Sequence, residues 1–118
     1  MSNRKIGNFV QEREKLIENM SKYCGQHAKR FFHLDSQVYK AGALPAKTKE
    51  LLGLVASLVL RCEDCIDYHL VNCHKNEVSD EELAEALTVG LIAGGSITIP
   101  HLRRAYASWD ELKKGGLK

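Results

Sequence analysis

The sequence has few prolines, few aromatic residues and no hydrophobic run of membrane-spanning length. Among its 118 residues are two prolines, one tryptophan, four tyrosines and three phenylalanines. The longest largely apolar stretch, from Leu51 to Leu60, has the length of a core helix and is too short to cross a membrane. The polar segment from Met1 to Arg13 has no apolar stretch of signal-peptide length. We therefore expect no membrane partner and a reducing, cytoplasmic location.

The chain also lacks an excess of charge of either sign. Its 17 basic and 15 acidic side chains are scattered along the sequence and leave a net charge of +2. Nucleic-acid-binding domains usually present a basic patch, and no basic run with interleaved aromatic residues occurs here. We therefore expect no nucleic-acid partner. The length suits one domain over residues 1–118, with enough apolar residues for a core.

Strand signals are missing too, since no segment alternates apolar and polar residues over the length of a strand. Glycine and proline divide the sequence into about five helical blocks, give or take one. The predicted fold class is therefore all-α, a compact helical bundle with a central antiparallel hairpin. The blocks run roughly from Ile6 to Tyr23, Ala28 to Ala41, Pro45 to Arg61, Glu63 to Lys75, Asp80 to Ala93 and Pro100 to Lys113.

Local signals mark several helix ends. Gly42 is expected just after the second helix, because glycine commonly terminates helices. Ser79 and Glu82 have the spacing of a capping box at the start of the fifth helix. The tail from Gly115 to Lys118 is expected to fray. A stripe of helical period makes the third helix the predicted central one, and its members are Leu51, Leu52, Val55, Leu58 and Val59.

Two cysteines and a histidine form the most informative pattern in the chain. Cys62 and Cys65 lie three residues apart, and His69 follows four residues later. On a helix beginning near Cys62, these side chains can converge on one face. The helix N-terminus stabilises a thiolate, and a Cys-x-x-Cys pair there can reach disulfide geometry, with Cα atoms about 5–6 Å apart. The pattern predicts a redox-active pair beside an imidazole that accepts and returns a proton.

An upstream carboxylate completes a predicted proton relay. Glu50 lies 12 residues before Cys62, which is about 18 Å along one straight helix and too far for contact. A chain reversal near Arg61 would make the third and fourth helices an antiparallel hairpin and bring His69 back toward Glu50. The predicted order is Glu50–His69–Cys65, in which the carboxylate orients the imidazole and the imidazole activates the thiol.

Other interpretations of these residues are open at this point. Cys62 and Cys65 could be small buried residues of a core helix. Cys65, His69 and Cys73 at i, i+4 and i+8 could instead form a metal-ligand stripe, although no second Cys-x-x-Cys or His-x-x-x-His pair completes a structural zinc site. The alternative to an enzyme is therefore a non-enzymatic redox sensor or metal-binding module. Three further residues carry no motif and are expected to be structural or surface residues: Cys24, His33 and His101.

With these residues the sequence resembles the alkylhydroperoxidase D-like group of the carboxymuconolactone decarboxylase superfamily. The matching pattern is Glu50 followed by Cys62-x-x-Cys65-x-x-x-His69, with Gly42-Ala43-Leu44-Pro45 before it and Gly94-Gly95 after it, over roughly residues 31–106. The resemblance implies an all-helical fold and a homo-oligomer, often a trimer or a hexamer. It also implies thiol-dependent peroxidase or disulfide-reductase chemistry that needs no organic cofactor.

The resemblance further implies residue roles and partners. Cys65 matches the thiol that attacks a small-molecule hydroperoxide, Cys62 the resolving thiol, and Glu50 and His69 the proton-relay residues. An external dithiol or protein reductant would restore the thiols. The best-studied peroxidase members have a second histidine between the cysteines, where this chain has Asp64. An acidic side chain there disfavours thiolates, so redox activity is a firmer expectation than peroxidase activity. Decarboxylation is not expected, because that branch lacks the cysteine pair.

Overall fold

A computed structural model describes residues 5–115, and within this range the secondary structure is entirely helical. The all-α prediction is confirmed. A short 3₁₀ turn, Ser96–Thr98, precedes the last helix and was not predicted. Apart from Gly115, the tail expected to fray lies outside the described residues. The helices are α1 (Ile6–Met20), α2 (Gln26–Val38), α3 (Ala46–Leu60), α4 (Glu63–Lys75), α5 (Asp80–Gly94) and α6 (Ile99–Lys113).

The predicted ends of α1 and α2 were wrong. Each helix stops three residues before its predicted end, α1 at Met20 and α2 at Val38. Gly42 is therefore not the residue that terminates α2, and its N–H instead donates to the carbonyl of Leu44 at 3.0 Å. The segment between α2 and α3 leads to Pro45, the N-cap of α3, and Leu44, the residue before this proline, is disfavoured from helical backbone.

The reversal predicted near Arg61 is present and joins α3 to α4. Arg61 has left-handed backbone angles, with φ 60° and ψ 40°. Its N–H donates to the carbonyl of Leu58 at 3.0 Å, and the N–H of Cys62 donates to the carbonyl of Ser57 at 3.1 Å. These two bonds satisfy terminal carbonyls of α3 in a Schellman arrangement. The chain thus turns back at once, and α4 packs antiparallel against α3.

The helix α3 is central, as predicted, but its buried face differs from the predicted stripe. Leu52 is 56% exposed, whereas the residues buried on this helix are Glu50, Gly53, Leu54, Ser57 and Leu58. The prediction was right for Leu58, which is fully buried, and for Leu51, which packs against the core. It was wrong for Leu52, because α3 is apolar on nearly every side and periodicity alone did not identify the face that packs on α4. Two of the predicted residues instead face α5, since Cβ atoms built at Gly90 and Gly94 would lie within 3.5 Å of Val55 and Val59.

The remaining helices complete the core, with one exception. Leu70, Leu87 and Leu112, from α4, α5 and α6, are fully buried, and Ile6 and Phe9 of α1 pack against the same cluster. The exception is α2, which has no buried residue. No helix within residues 5–115 combines the length and the apolar character needed to cross a membrane.

Candidate functional site

The cysteine pair lies at the beginning of α4. Cys62 is the N-cap residue, and its Sγ accepts a hydrogen bond from the N–H of Cys65 at 3.2 Å. The two residues form a disulfide with their Cα atoms 5.2 Å apart, within the range expected for this spacing. Cys65 is exposed and Cys62 is partly buried. The helix N-terminus therefore presents the sulfur pair at the surface, where a dissolved oxidant or reductant has access.

One turn beyond Cys65, the imidazole of His69 contacts a buried carboxylate. His69 Nδ1 lies 2.8 Å from Glu50 Oε1, and both side chains are buried. The hairpin predicted at Arg61 thus returns α4 to the second turn of α3, where Glu50 lies. The contact between the two side chains is direct. Since a carboxylate accepts hydrogen bonds, Nδ1 carries the ring proton and donates a hydrogen bond to Glu50.

The sequence analysis missed Tyr39, the residue at the C-terminal end of α2. Its hydroxyl lies 3.5 Å from Nε2 of His69, and the two ring centroids are 5.1 Å apart. Burial, reinforced by the negative charges of Asp35 and Glu50, raises the pKa of Tyr39, so the phenol keeps its proton at neutral pH. With Nδ1–H directed at Glu50, Nε2 is the nitrogen that accepts from this hydroxyl. No local motif marks Tyr39, because the contact spans 30 residues of chain.

Space for these rings depends on Gly53, one turn after Glu50 on α3. A Cβ atom at Gly53 would lie 2.6 Å from Cε1 of His69 and 2.7 Å from the hydroxyl of Tyr39. Side chains do not normally approach a Cβ this closely, so any larger residue would displace one of the two rings. Gly53 therefore allows the imidazole and the phenol to meet over the backbone of α3.

The predicted site residues thus form two adjacent groups on α4. One is the disulfide of Cys62 and Cys65, and the other is the Glu50–His69 pair with Tyr39 added. Among the hydrogen bonds within residues 5–115, His69 is joined to Glu50 and Tyr39, and none joins it to a cysteine sulfur. In this oxidised state the imidazole lies one helical turn from the sulfurs, and its second nitrogen faces the phenol.

The third residue of the possible metal stripe, Cys73, is fully buried in the core. Burial, together with the negative charge of Glu50, raises the pKa of its thiol to about 12, so it stays protonated near neutral pH. Within residues 5–115, no group of three or more His, Cys, Asp or Glu side chains is arranged to hold a metal ion. The structure therefore does not assemble Cys65, His69 and Cys73 as a ligand set.

A second histidine, expected at the surface without a role, is paired. His101 of α6 contacts Glu63, the residue that follows Cys62, through Nδ1 and the carboxylate oxygen Oε2. Arg104, one turn along α6, contacts the same oxygen through Nε at 3.0 Å and through a terminal nitrogen at 2.9 Å. Burial opposes ionisation of Glu63, but the hydrogen bonds from Arg104 and His101 outweigh it and lower the pKa of the carboxyl.

The comparison with protein families agrees with this geometry. The model of the carboxymuconolactone decarboxylase family matches residues 25–108, which contain both cysteines, Glu50, His69 and Tyr39. The chain belongs to this family. The match also covers Glu63, His101 and Arg104, so all the groups described above lie inside the family region. Only α1 and the last residues of α6 fall outside it.

Relatives of known structure show how closely the fold is shared. Two crystal structures of a Thermotoga maritima protein of this family are 55% and 54% identical to the chain, with TM-scores of 0.88 and 0.87. They cover 91% and 94% of this chain, and 94% and 97% of their own. A role in the antioxidative response has been suggested for that protein. A Legionella pneumophila family member, 24% identical, has the same fold, with a TM-score of 0.83 over 90% of this chain and 95% of its own.

Two further relatives carry names that describe them as uncharacterized proteins. A Cupriavidus necator protein is 31% identical over 71 residues, and a Paracoccus denitrificans protein from the cox locus is 28% identical over 82 residues. The matches cover 60% and 70% of this chain. They span 63% of the Cupriavidus protein and 74% of the Paracoccus protein. The names of these relatives assign no activity.

Proposed function

We propose that this family member is a thiol-dependent peroxidase that reduces hydroperoxides through a dithiol–disulfide cycle of Cys62 and Cys65. The observation that carries the proposal is the disulfide at the N-terminus of α4, one turn before an imidazole that is hydrogen-bonded to a buried carboxylate. The suggested antioxidative role of the Thermotoga relative points in the same direction.

The cycle begins with the reduced pair. The Cys65 thiolate attacks the terminal oxygen of the hydroperoxide, the O–O bond breaks, and the departing alkoxide takes up a proton to leave as an alcohol. Cys65 is now a sulfenic acid. The Cys62 thiol condenses with it, which forms the S–S bond and releases water. An external dithiol in a reducing compartment such as the cytosol then restores both thiols by exchange.

In this cycle Glu50 and His69 act as the proton relay. The Nδ1–H of His69 stays hydrogen-bonded to Glu50, so Nε2 carries no proton. Nε2 can therefore accept a proton from the Cys65 thiol and later supply it to the alkoxide. The tautomer needed for this role is the one that the 2.8 Å contact with Glu50 enforces. The phenol of Tyr39 is placed to hydrogen-bond Nε2 in both protonation states, because a hydroxyl both donates and accepts.

The test of the proposal is peroxide consumption by the reduced protein, with a small dithiol as the electron donor. We expect turnover in the wild type, none in Cys65→Ser, and a single oxidation in Cys62→Ser that stops at a sulfenic acid detectable with a selective trap. A trapped adduct on Cys62 in Cys65→Ser would reverse the two roles. A wild-type disulfide that forms once and does not sustain turnover would favour a redox sensor.

We also propose that the protein works as a homo-oligomer, a trimer or a hexamer by the family resemblance. The support is α2, which carries a row of exposed apolar side chains although it has no buried residue: Phe31 (65% exposed), Phe32 (41%), Leu34 (58%) and Val38 (53%). Such a face usually marks an interaction surface. Sedimentation at micromolar concentration should show a closed oligomer, and Phe31→Glu should dissociate it. A wild-type monomer would contradict this.

A further inference from the structure

The first turn of α4 places two acidic side chains next to the cysteine pair. Glu63 and Asp64 occupy the first helical turn of α4, directly between the two cysteines. Acidic residues at this end stabilise the helix, because they offset the positive end of its dipole. The same charges oppose the formation of a thiolate at Cys62 or Cys65. A reactive dithiol at this position therefore needs a compensating positive charge.

The helix α6 supplies that charge. Arg104 contacts Glu63 Oε2 through two nitrogens, at 2.9 and 3.0 Å, and His101 contacts the same oxygen. All three side chains are partly buried, which limits screening by solvent. α1 contributes one side chain of each charge, Glu12 and Arg13, to the groove that Asp64 also lines, and the guanidinium of Arg13 lies over the ring of Tyr68, 4.2 Å from its centroid.

We propose that Arg104, assisted by His101, is a positioning residue for the redox pair. By neutralising Glu63, which lies between the two cysteines in the sequence, Arg104 keeps both thiols reactive at neutral pH. This inference rests on the proposed thiol chemistry and adds α6 to the site. Arg104 acts through Glu63 on the charge at the beginning of α4. Loss of Arg104 leaves most of the Glu63 charge beside a thiol that must itself become negative. The effect works over a distance of a helical turn, so it needs no direct contact between α6 and a sulfur.

The test is the alkylation rate of the reduced protein with iodoacetamide, a neutral reagent, followed by mass spectrometry at Cys62 and Cys65 as a function of pH. For Arg104→Gln we expect a rate about threefold to tenfold lower at pH 7, as for one charge removed near a partly exposed group. The midpoint of the pH profile should shift upward. Glu63→Gln should shift it downward and raise the rate at pH 7.

The double variant separates charge from packing. Glu63→Gln/Arg104→Gln removes one charge of each sign, so its pH profile should return close to that of the wild type. Arg104→Lys, which keeps the charge, should retain most of the reactivity. The matched control is Arg103→Gln, an exposed arginine on the same helix, which should leave the profile unchanged. Circular dichroism confirms that each variant is folded.

Two results would overturn the proposal. One is a wild-type pH profile in folded Arg104→Gln. The other is a double variant as slow as Arg104→Gln, which would show that lost packing rather than lost charge lowers the rate. The assay uses no peroxide, so it is independent of peroxidase activity. If the alkylation pattern holds and the wild type consumes no peroxide, the charge compensation stands and the proposed peroxidase function fails.

Discussion

Residues 5–115 contain two carboxylate–imidazole pairs that differ mainly in their exposure to water. Glu50 and His69 lie between α3 and α4 with side chains only 8% and 10% exposed. Glu63 and His101 lie between α4 and α6 with side chains 30% and 18% exposed. Each pair places Nδ1 of the imidazole on a carboxylate oxygen.

The two pairs contain the same chemical groups, but their different surroundings give them different roles. Burial shields the inner pair from most solvent, and Gly53 and Tyr39 confine its imidazole, so it can hold one tautomer and one orientation. In the outer pair Arg104 shares the carboxylate and the side chains are more exposed than in the inner pair, so the imidazole is held less firmly and the main effect is electrostatic. We therefore expect substitutions in the inner pair to affect proton transfer, and substitutions in the outer pair to affect mainly how readily the thiols ionise.

The largest effects should come from breaking the inner pair. Glu50→Gln and His69→Asn should each slow single-turnover oxidation of the reduced thiols by peroxide by about 10²–10⁴-fold, the usual contribution of a positioned acid–base group. The double variant should be little slower than either single variant, because the two residues act as a unit. Stopped-flow measurement of thiol loss decides this. Wild-type oxidation in Glu50→Gln would remove Glu50 from the relay.

The second effect tests whether the inner pair depends on confinement. In Gly53→Ala the new Cβ would overlap His69 and Tyr39, so we expect a loss of stability of about 1–3 kcal/mol by overpacking. Oxidation should slow even where the protein is still folded. Gly42→Ala is the matched control, because a Cβ there meets only Lys49 Nζ at 3.7 Å. Urea unfolding and oxidation rates should separate the two variants, and equal behaviour would contradict the role of Gly53.

A smaller effect is expected from Tyr39→Phe, which removes the hydroxyl that faces Nε2 and keeps the ring. One neutral hydrogen bond contributes about 0.5–1.5 kcal/mol, so oxidation should slow by roughly twofold to tenfold. The pH profile of oxidation should also change, because the relay loses a group that both donates and accepts. Tyr106→Phe, at an exposed position on α6, provides the control. An unchanged profile would show that Tyr39 only fills space.

The smallest effect concerns stability and belongs to the outer pair. Because the folded-state pKa of Glu63 lies below its usual value of 4.5, the ionised form stabilises the fold above that pH. This contribution disappears as the pH falls through the lowered pKa. We expect Glu63→Gln to lower the free energy of unfolding at pH 7 by about 1 kcal/mol or less, and by nothing near pH 2. Urea unfolding at both pH values measures it, and an equal loss at both would exclude the ion pair as its source.

Much of the inner site was predictable from short-range sequence signals. The bounds of α4 follow from the cysteine spacing and the reversal before it, and they match the structure. The contact between Glu50 and His69 follows from the same reversal, because an antiparallel hairpin fixes which residues meet. These predictions were confirmed because turn geometry and helical period act within one or two turns of chain.

The rest depends on contacts that no local pattern encodes. Tyr39 reaches His69 across 30 residues, and His101 reaches Glu63 across 38. The buried face of α3 was predicted only in part for a related reason, since a helix that is apolar on nearly every side acquires its orientation from its neighbours. Sequence periodicity thus located the hairpin, and tertiary packing decided which polar groups surround it.

The buried thiol of Cys73 gives the chain an internal reporter of its own opening. It is fully buried on α4, four residues after His69, and its pKa of about 12 keeps it unreactive in the folded state. A thiol reagent can modify it only while α4 is detached from the core, so the labelling rate measures how often that happens. The same helix therefore carries two kinds of thiol. The pair at its N-terminus responds to the redox state, and the buried thiol of Cys73 responds to unfolding.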